Sequence, residues 1–207
     1  MSHTTDPPDH PAPQTEGLER MDVEAAASAA RHRHHPVVQT LGTASELADQ
    51  IPLALVCGAV IAGGLVSGRP HIARTGMRMM AAHILANVVK RRIKNRLRRT
   101  RPEEIVKDRD YAFEVGESEG GHDTSFPSGH TAGAVAVAAV VVRDVPPLAL
   151  PASIAAALAS GVQIPRARHY PVDVVAGAAL GLTAARLVDL LLPDAPNPRS
   201  QEKHHVG

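Results

Sequence analysis

The chain has 207 residues, of which 44% are hydrophobic but only 2% are aromatic, and it contains no tryptophan. A water-soluble domain of this length normally uses several aromatic side chains in its core. The long runs of Ala, Val, Leu and Ile are instead typical of a protein that spans a bilayer. Basic and acidic residues number 22 and 21, so the net charge is +1. One cysteine, Cys57, excludes an intramolecular disulfide and a multi-cysteine metal site.

The chain divides into three predicted regions. Residues 1–36 combine prolines and acidic residues with few apolar ones, which predicts a disordered tail. Residues 37–193 are expected to form one membrane-embedded helical domain, and residues 194–207 a second disordered tail. The His- and Arg-rich segment 31–35 is interpreted as a charged stretch beside the membrane rather than as a metal site. Apolar residues recur at helical spacing in residues 37–51, which predicts a helix lying at the membrane interface.

Beyond this interfacial helix, the apolar runs predict about five transmembrane helices. The fold class is therefore expected to be all-α, an integral membrane helix bundle. The second and fifth runs contain charged residues, which interrupt their apolar stretches. Two glycine pairs, Gly129/Gly133 and Gly177/Gly181, have the spacing that allows close helix packing in lipid. The predicted spans are residues 50–68, 72–89, 124–142, 145–165 and 171–192.

Three polar clusters stand at the ends of these predicted spans, where polar groups are costly unless they have a partner or a function. Lys94 with Arg101–Pro102 follows the second span. Pro127–His130 opens the third, and His169–Asp173 opens the fifth. Because successive spans reverse direction, the three clusters are predicted to lie at one membrane face.

The first cluster is suited to binding phosphate. Lys94, Arg98 and Arg101 would form one cationic stripe if residues 94–101 were helical, and guanidinium and ammonium groups pair well with phosphate oxygens. The remaining arginines of this basic stretch are interpreted as facing solvent or lipid headgroups. They are Arg91, Arg92, Arg96 and Arg99.

The other two clusters supply an anion site and a histidine. Ser128 is a candidate N-cap and Gly129 allows a ligand to approach the backbone, so the free N–H groups of this helix start can bind an anion beside His130. Four residues separate His169 from Asp173, so the carboxylate can accept the imidazole N–H and fix the tautomer. The other ring nitrogen is then available as a nucleophile or base.

Together the clusters resemble the type-2 phosphatidic acid phosphatase superfamily, which shares its site with vanadium haloperoxidases. The family pattern is Lys-x6-Arg-Pro, then Pro-Ser-Gly-His, then Ser-Arg-x5-His-x3-Asp. The first two parts are present at Lys94 to Pro102 and at Pro127 to His130, and His169 and Asp173 match the end of the third. The resemblance covers about residues 94–181.

The chain departs from the family in the Ser-Arg pair, whose places hold Val162 and Gln163. The neutral amide of Gln163 cannot replace a guanidinium. Arg166 follows Pro165, and we consider it as a replacement phosphate ligand, with a headgroup-facing charge as the alternative. Arg168 is a weaker candidate.

The resemblance implies a mechanism without a metal or another cofactor. His169, oriented by Asp173, would attack phosphorus, and His130 would protonate the leaving group and then assist the attack of water. The implied phosphate-binding residues are Lys94, Arg101, Ser128, Gly129 and Arg166. His83 has no counterpart in the family pattern and is interpreted as a structural histidine.

We therefore expect a membrane phosphatase that hydrolyses a lipid phosphate or diphosphate, of the phosphatidic acid or polyprenyl phosphate type. The alternatives are a catalytically impaired protein that binds anionic lipid and a vanadate-dependent haloperoxidase. Nucleic-acid binding is disfavoured because aromatic stacking groups are scarce. The oligomeric state is left open.

The expected location is the cell (inner) membrane, with the side of the site open. The positive-inside rule places the basic motif face in the cytoplasm. Family members that act on lipids commonly face outward, so these two arguments conflict.

Overall fold

The computed structural model describes residues 17–105, 111–116 and 124–193. Its regular elements are helical apart from one short antiparallel strand pair. The α-helices are α1 (Leu18–Ala30), α2 (Pro36–Ser45), α3 (Gln50–Val66), α4 (Pro70–Lys94), α5 (Pro102–Ile105), α6 (Gly129–Asp144), α7 (Ala149–Gly161) and α8 (Pro171–Leu191). The strands are β1 (Leu97–Arg99) and β2 (Phe113–Val115), and short 3₁₀ turns cover Glu46–Ala48 and Pro146–Leu148.

Helix α1 corrects the prediction of a disordered tail through residue 36. The structure places Leu18–Ala30 in a helix that packs against α5 and α8. Its buried face consists of Asp22, Ala26 and Ala30, at successive intervals of four residues. Large apolar residues are scarce on that face, which is why composition alone indicated disorder. The predicted tails at residues 1–16 and 194–207 lie outside the described residues.

Helices α3, α4, α6, α7 and α8 correspond to the five predicted spans. Helix α6 contacts α4, α7 and α8, and α3 packs along α4. The core between them is built largely from small side chains, among them the fully buried Cys57, Ala82, Ala86 and Ala136. Small residues let the helices approach closely enough for dispersion contacts to accumulate without large apolar side chains.

Large apolar side chains point away from the bundle. Leu150, Val175 and Leu190 are 70%, 68% and 77% exposed. An apolar outer surface around a small-residue core is the arrangement expected when lipid surrounds the helices.

Length and hydropathy support fewer spans than the sequence analysis predicts. In the described part of the chain, α8 alone is long and apolar enough to cross a bilayer as a single helix. The segments Pro36–Ala48 and Gln50–Val66 pass the same test only as a pair bent by 59°. The apolar segment Pro146–Gly161 is shorter. The count of five spans therefore stays a prediction.

The segment after α4 corrects the predicted cationic stripe. Helix α4 ends at Lys94, and Leu97–Arg99 pairs with Phe113–Val115, with Arg98 opposite Glu114. Neighbouring side chains of a strand point to opposite sides. Arg98 consequently lies at the surface, 3.9 Å from Glu114, and Arg99 lies in the interior.

A buried ion cluster closes the end of the bundle where α4 starts and α6 and α8 end. Arg78 is buried, and its Nη1 donates to Asp144 Oδ1 at 2.9 Å. Its other terminal nitrogen pairs with Asp189, which also pairs with Arg143. This cluster accounts for Arg78 of the second predicted span and Asp189 of the fifth, since the two charges pair with each other inside the bundle.

Close contact between α6 and α8 depends on two glycines. A Cβ at Gly177 would lie 2.6 Å from the Ser128 carbonyl oxygen, and one at Gly181 would lie 2.6 Å from that of Ala132. The prediction of close packing is thus confirmed for Gly177/Gly181. These contacts hold the starts of the two helices together.

We expect Gly177→Ala to destabilise the protein by about 1–3 kcal/mol, because the new methyl group would force α6 and α8 apart. A thermal unfolding scan in detergent measures this. Gly63→Ala is the matched control, since a Cβ there meets no atom within 4 Å. In an exposed helix position that change is expected to add up to about 1 kcal/mol of stability. Equal melting temperatures for the two variants would contradict the packing argument.

Candidate active site

The three polar clusters meet at the end of the bundle opposite Arg78. The Ser128 N–H donates to the Asp173 carbonyl oxygen at 3.0 Å and so joins the starts of α6 and α8. The Lys94 ammonium, at the end of α4, donates to the Thr124 carbonyl oxygen at 2.5 Å, just before the α6 cluster. The structure therefore brings together residues that are far apart in the chain.

The start of α6 has the form of an anion site. Ser128 is the N-cap of a 16-residue helix, and its buried hydroxyl accepts a hydrogen bond from Thr131 Oγ1 at 3.0 Å. A Cβ at Gly129 would lie 3.1 Å from Lys90 Nζ, so an ammonium group faces this helix start. The helix dipole and the free N–H groups both favour an anion here. Lys90 precedes Lys94 by one helical turn but has no place in the three sequence motifs.

Lys94 is buried beside other cations. Burial lowers the pKa of its ammonium group to about 7, with further lowering from Arg101 and Lys90 and an opposing effect from Asp173. An ammonium group in such a place gains most from an anionic ligand. Arg101 is half-buried and precedes α5, and the Glu103 N–H donates to the Ala167 carbonyl oxygen at 2.9 Å. That bond ties the Arg101 segment to the loop that carries His169.

His169 and Asp173 face each other at the start of α8. His169 Nδ1 lies 3.7 Å from Asp173 Oδ2, and the same oxygen accepts the Tyr170 N–H at 2.9 Å. The distance to Nδ1 exceeds that of a hydrogen bond, and a small shift of the ring would form one. Burial lowers the pKa of His169 to about 4; Asp173 opposes this shift, and Arg101 and Lys94 add to it. The ring is therefore neutral at physiological pH. Nδ1 is the nitrogen that faces Asp173, and Nε2 is the other ring nitrogen.

Arg99 is buried, which corrects the prediction that it faces solvent or lipid headgroups. Its guanidinium is only 2% exposed and donates from Nη1 to Asp173 Oδ1 at 2.7 Å. It also lies over the Tyr170 ring, 4.0 Å from the centroid. In a strand, neighbouring side chains point to opposite sides, which separates Arg98 from Arg99; the helical interpretation of residues 94–101 does not contain this alternation.

Gln163 and Arg166 approach a common atom. Gln163 is buried and its amide nitrogen donates to Ser45 Oγ at 3.1 Å, and Arg166 Nη1 donates to the same oxygen at 3.2 Å. Arg166 Nη2 also pairs with Glu46 Oε1 at 2.7 Å. The Arg166 guanidinium and the Gln163 amide therefore lie close to each other, both within hydrogen-bond distance of Ser45 Oγ.

His130 lies beside acidic residues that the sequence analysis did not place near the motifs. Its Nε2 is 3.7 Å from Glu46 Oε2. Glu46, Asp49 and His130 each offer a ligand atom, and these atoms lie within 4.8 Å of one another. Arg166 pairs with the other oxygen of this carboxylate, Glu46 Oε1, and its positive charge disfavours a metal ion there. The Glu46 and Asp49 carboxylates therefore lie close to the His130 ring without a hydrogen bond to its Nε2.

Comparison with known proteins identifies a similar fold and the family. The chain resembles in fold the crystal structure of the first transmembrane PAP2-type phosphatidylglycerolphosphate phosphatase from Bacillus subtilis, with a TM-score of 0.57 and 23% identity over 86% of this chain and 87% of that one. No curated protein matches the chain. The family model described as PAP2 superfamily matches residues 75–195, more than half of the sequence, and includes all three clusters. The chain belongs to the PAP2 superfamily.

Proposed function

We propose that this protein is a lipid phosphate phosphatase that works through a phosphohistidine. The observation that carries the proposal is the meeting of Lys94, Ser128 and the His169–Asp173 pair at one end of the bundle. Family membership supports a phosphatase in general terms. The substrate and the role of each residue are part of the proposal.

In the first step, the scissile phosphate binds between the α6 start and the cations. Lys94, Arg101, Ser128 and the Gly129 N–H hold its oxygens and stabilise the charge that they carry in the transition state. The neutral Nε2 of His169 attacks phosphorus in line with the leaving oxygen. The N–P bond forms as the P–O bond to the lipid breaks, and His130 donates a proton to the departing oxygen.

In the second step, water replaces the lipid oxygen. Neutral His130 accepts a proton from the water, whose oxygen attacks the phosphohistidine as the N–P bond breaks. Phosphate leaves, and His130 and His169 return to their starting protonation states. Asp173 stabilises the positive charge on His169 while the phosphoryl group is attached.

The surroundings of the site favour a lipid as the phosphate carrier. The site lies at one end of a bundle whose outer surface is apolar, so a headgroup can reach it while the acyl or prenyl chains stay beside the helices. The candidate substrates are phosphatidic acid, polyprenyl phosphates and diphosphates, and phosphatidylglycerolphosphate. The last of these gives the Bacillus subtilis phosphatase of similar fold its name. We propose the cell membrane as the location.

Wild-type protein purified in detergent is expected to release phosphate from at least one of these lipids, with equal rates in the presence and absence of EDTA. His169→Ala is expected to lower kcat by three orders of magnitude or more, because the nucleophile is lost. His71→Ala is the matched control, since this exposed histidine lies at the opposite end of α4. Equal phosphate release by wild type and His169→Ala would overturn the mechanism. Salt-sensitive lipid binding without turnover would favour the impaired lipid-binding protein instead.

Phosphate binding is expected to take up a proton above pH 7. The pKa of Lys94 is about 7 in the empty site, so at pH 8.5 the amine is mostly neutral there, whereas a bound phosphate dianion favours its charged form. Calorimetric titration with inorganic phosphate in two buffers of different ionisation enthalpy measures the uptake. Lys94→Arg, which stays charged, is expected to bind with less proton uptake. Identical uptake by the two proteins would contradict this role for Lys94.

Arg166 is proposed to supply the guanidinium that the family motif places at residue 163. Both side chains reach Ser45 Oγ, so their polar ends occupy neighbouring positions. Arg166→Ala is expected to raise KM by about tenfold, the loss of a charge-assisted hydrogen bond of about 1.5 kcal/mol. Adding Gln163→Arg to that variant is expected to restore part of the affinity. A KM unchanged by Arg166→Ala would place this arginine outside the phosphate site.

A further inference from the structure

Helix α1 reaches the catalytic pair through one buried carboxylate. Asp22 Oδ2 accepts a hydrogen bond from Arg99 Nη2 at 2.6 Å, and Asp22 Oδ1 accepts the Val172 N–H at 2.9 Å. Val172 immediately precedes Asp173 in the first turn of α8, where backbone N–H groups lack helical partners. Asp22 thus contacts both the residue beside Asp173 and the guanidinium that binds Asp173.

The charges of this cluster depend on Asp22. Arg99 binds Asp173 through one terminal nitrogen and Asp22 through the other, and all three side chains are buried. The pair of Arg99 and Asp173 has no net charge. With Asp22 included, the cluster carries one negative charge, as a lone aspartate beside His169 would. That charge is what stabilises a phosphorylated, positively charged imidazole.

A second contact holds α1 in the same place. The Tyr111 hydroxyl donates to Glu19, which lies one turn before Asp22, and Arg99 Nη2 donates to the Tyr111 oxygen at 3.3 Å. The ring of Tyr111 also meets the Tyr170 ring edge to face, with centroids 5.9 Å apart. Arg99 is therefore fixed from α1, from the strand pair and from the start of α8.

We propose that Asp22 is a positioning residue for the catalytic pair, and that α1 is part of the catalytic unit although it lies outside the residues that the family model matches. Asp22 holds Arg99 and the first turn of α8 so that Asp173 Oδ2 faces His169, and it supplies the negative charge that Arg99 would otherwise cancel. This inference rests on the proposed function, since it concerns the reactivity of His169.

The other end of the bundle provides a matched control. Arg78 is also a buried arginine between two carboxylates, those of Asp144 and Asp189. Asp189 lies sixteen residues after Asp173 on the same helix, which is about 24 Å along the helix axis. Asp22→Asn and Asp144→Asn therefore each remove a carboxylate that pairs with a buried arginine, once next to the His169–Asp173 pair and once far from it.

The experiment compares wild type with Asp22→Asn, Asp22→Glu and Asp144→Asn, all full-length and in detergent. We measure kcat and KM with the preferred lipid phosphate, the dissociation constant for orthovanadate and the melting temperature. Asp22→Asn is expected to lower kcat at least tenfold and to leave KM within twofold of the wild-type value. The reason is that the substitution removes the excess negative charge of the cluster, which affects the reactivity of His169. Vanadate binding is expected to weaken at least tenfold. Asp22→Glu is expected to recover much of both losses, and Asp144→Asn to lower only the melting temperature.

Two results would overturn the inference while leaving the proposed function intact. One is a kcat for Asp22→Asn within twofold of wild type. The other is a loss of kcat in Asp144→Asn that equals the loss in Asp22→Asn at the same fall in melting temperature, which would make the effect one of general stability. If wild type neither hydrolyses any lipid phosphate nor binds vanadate, the proposed function fails, and the role of Asp22 fails with it.

Discussion

The buried carboxylate of Asp173 is the point on which the site depends. Its oxygens bind Arg99 and the Tyr170 N–H, and its backbone carbonyl accepts the Ser128 N–H. One residue therefore joins the strand pair, the loop before α8 and the start of α6. A fully buried carboxylate is stable only with such partners, because an unpaired buried charge costs several kcal/mol. The need to satisfy Asp173 fixes His169 and the α6 anion site relative to each other.

Small residues allow this arrangement to form. The α6 and α8 backbones touch at Gly177 and Gly181, so the Ser128 N–H can reach the carbonyl oxygen of Asp173. Larger side chains there would separate the two helix starts and open a gap in the proposed phosphate site. The low aromatic content of the chain and the geometry of its site thus have one cause, the close approach of helices in a core of Ala and Gly.

The sequence was sufficient to predict features that depend on local pattern. Apolar runs located the long helices to within a few residues, and the spacing of Lys94, Ser128 and His169 relative to those runs predicted that they meet at one end. Long-range partners left no such pattern. The burial of Asp22 depends on Arg99, more than seventy residues away in the chain, and a polar residue in a proline- and acid-rich region gives no sign of burial. Arg99 itself was misplaced because three strand residues within a basic stretch resemble the end of a helix.

The two ends of the bundle treat buried charge differently, and this difference bears on function. At the Arg78 end, Arg78 and Arg143 face Asp144 and Asp189, so the cationic and anionic groups are equal in number and the cluster is neutral. At the other end, Asp22, Arg99 and Asp173 carry one excess negative charge, and Lys94 and Arg101 are close enough to His169 to depress the pKa of its ring. The excess negative charge therefore lies at the His169–Asp173 pair, close to two cations. In the proposed mechanism this imbalance has a use, because the anionic cluster stabilises the positively charged phosphohistidine while the cations bind the phosphoryl oxygens.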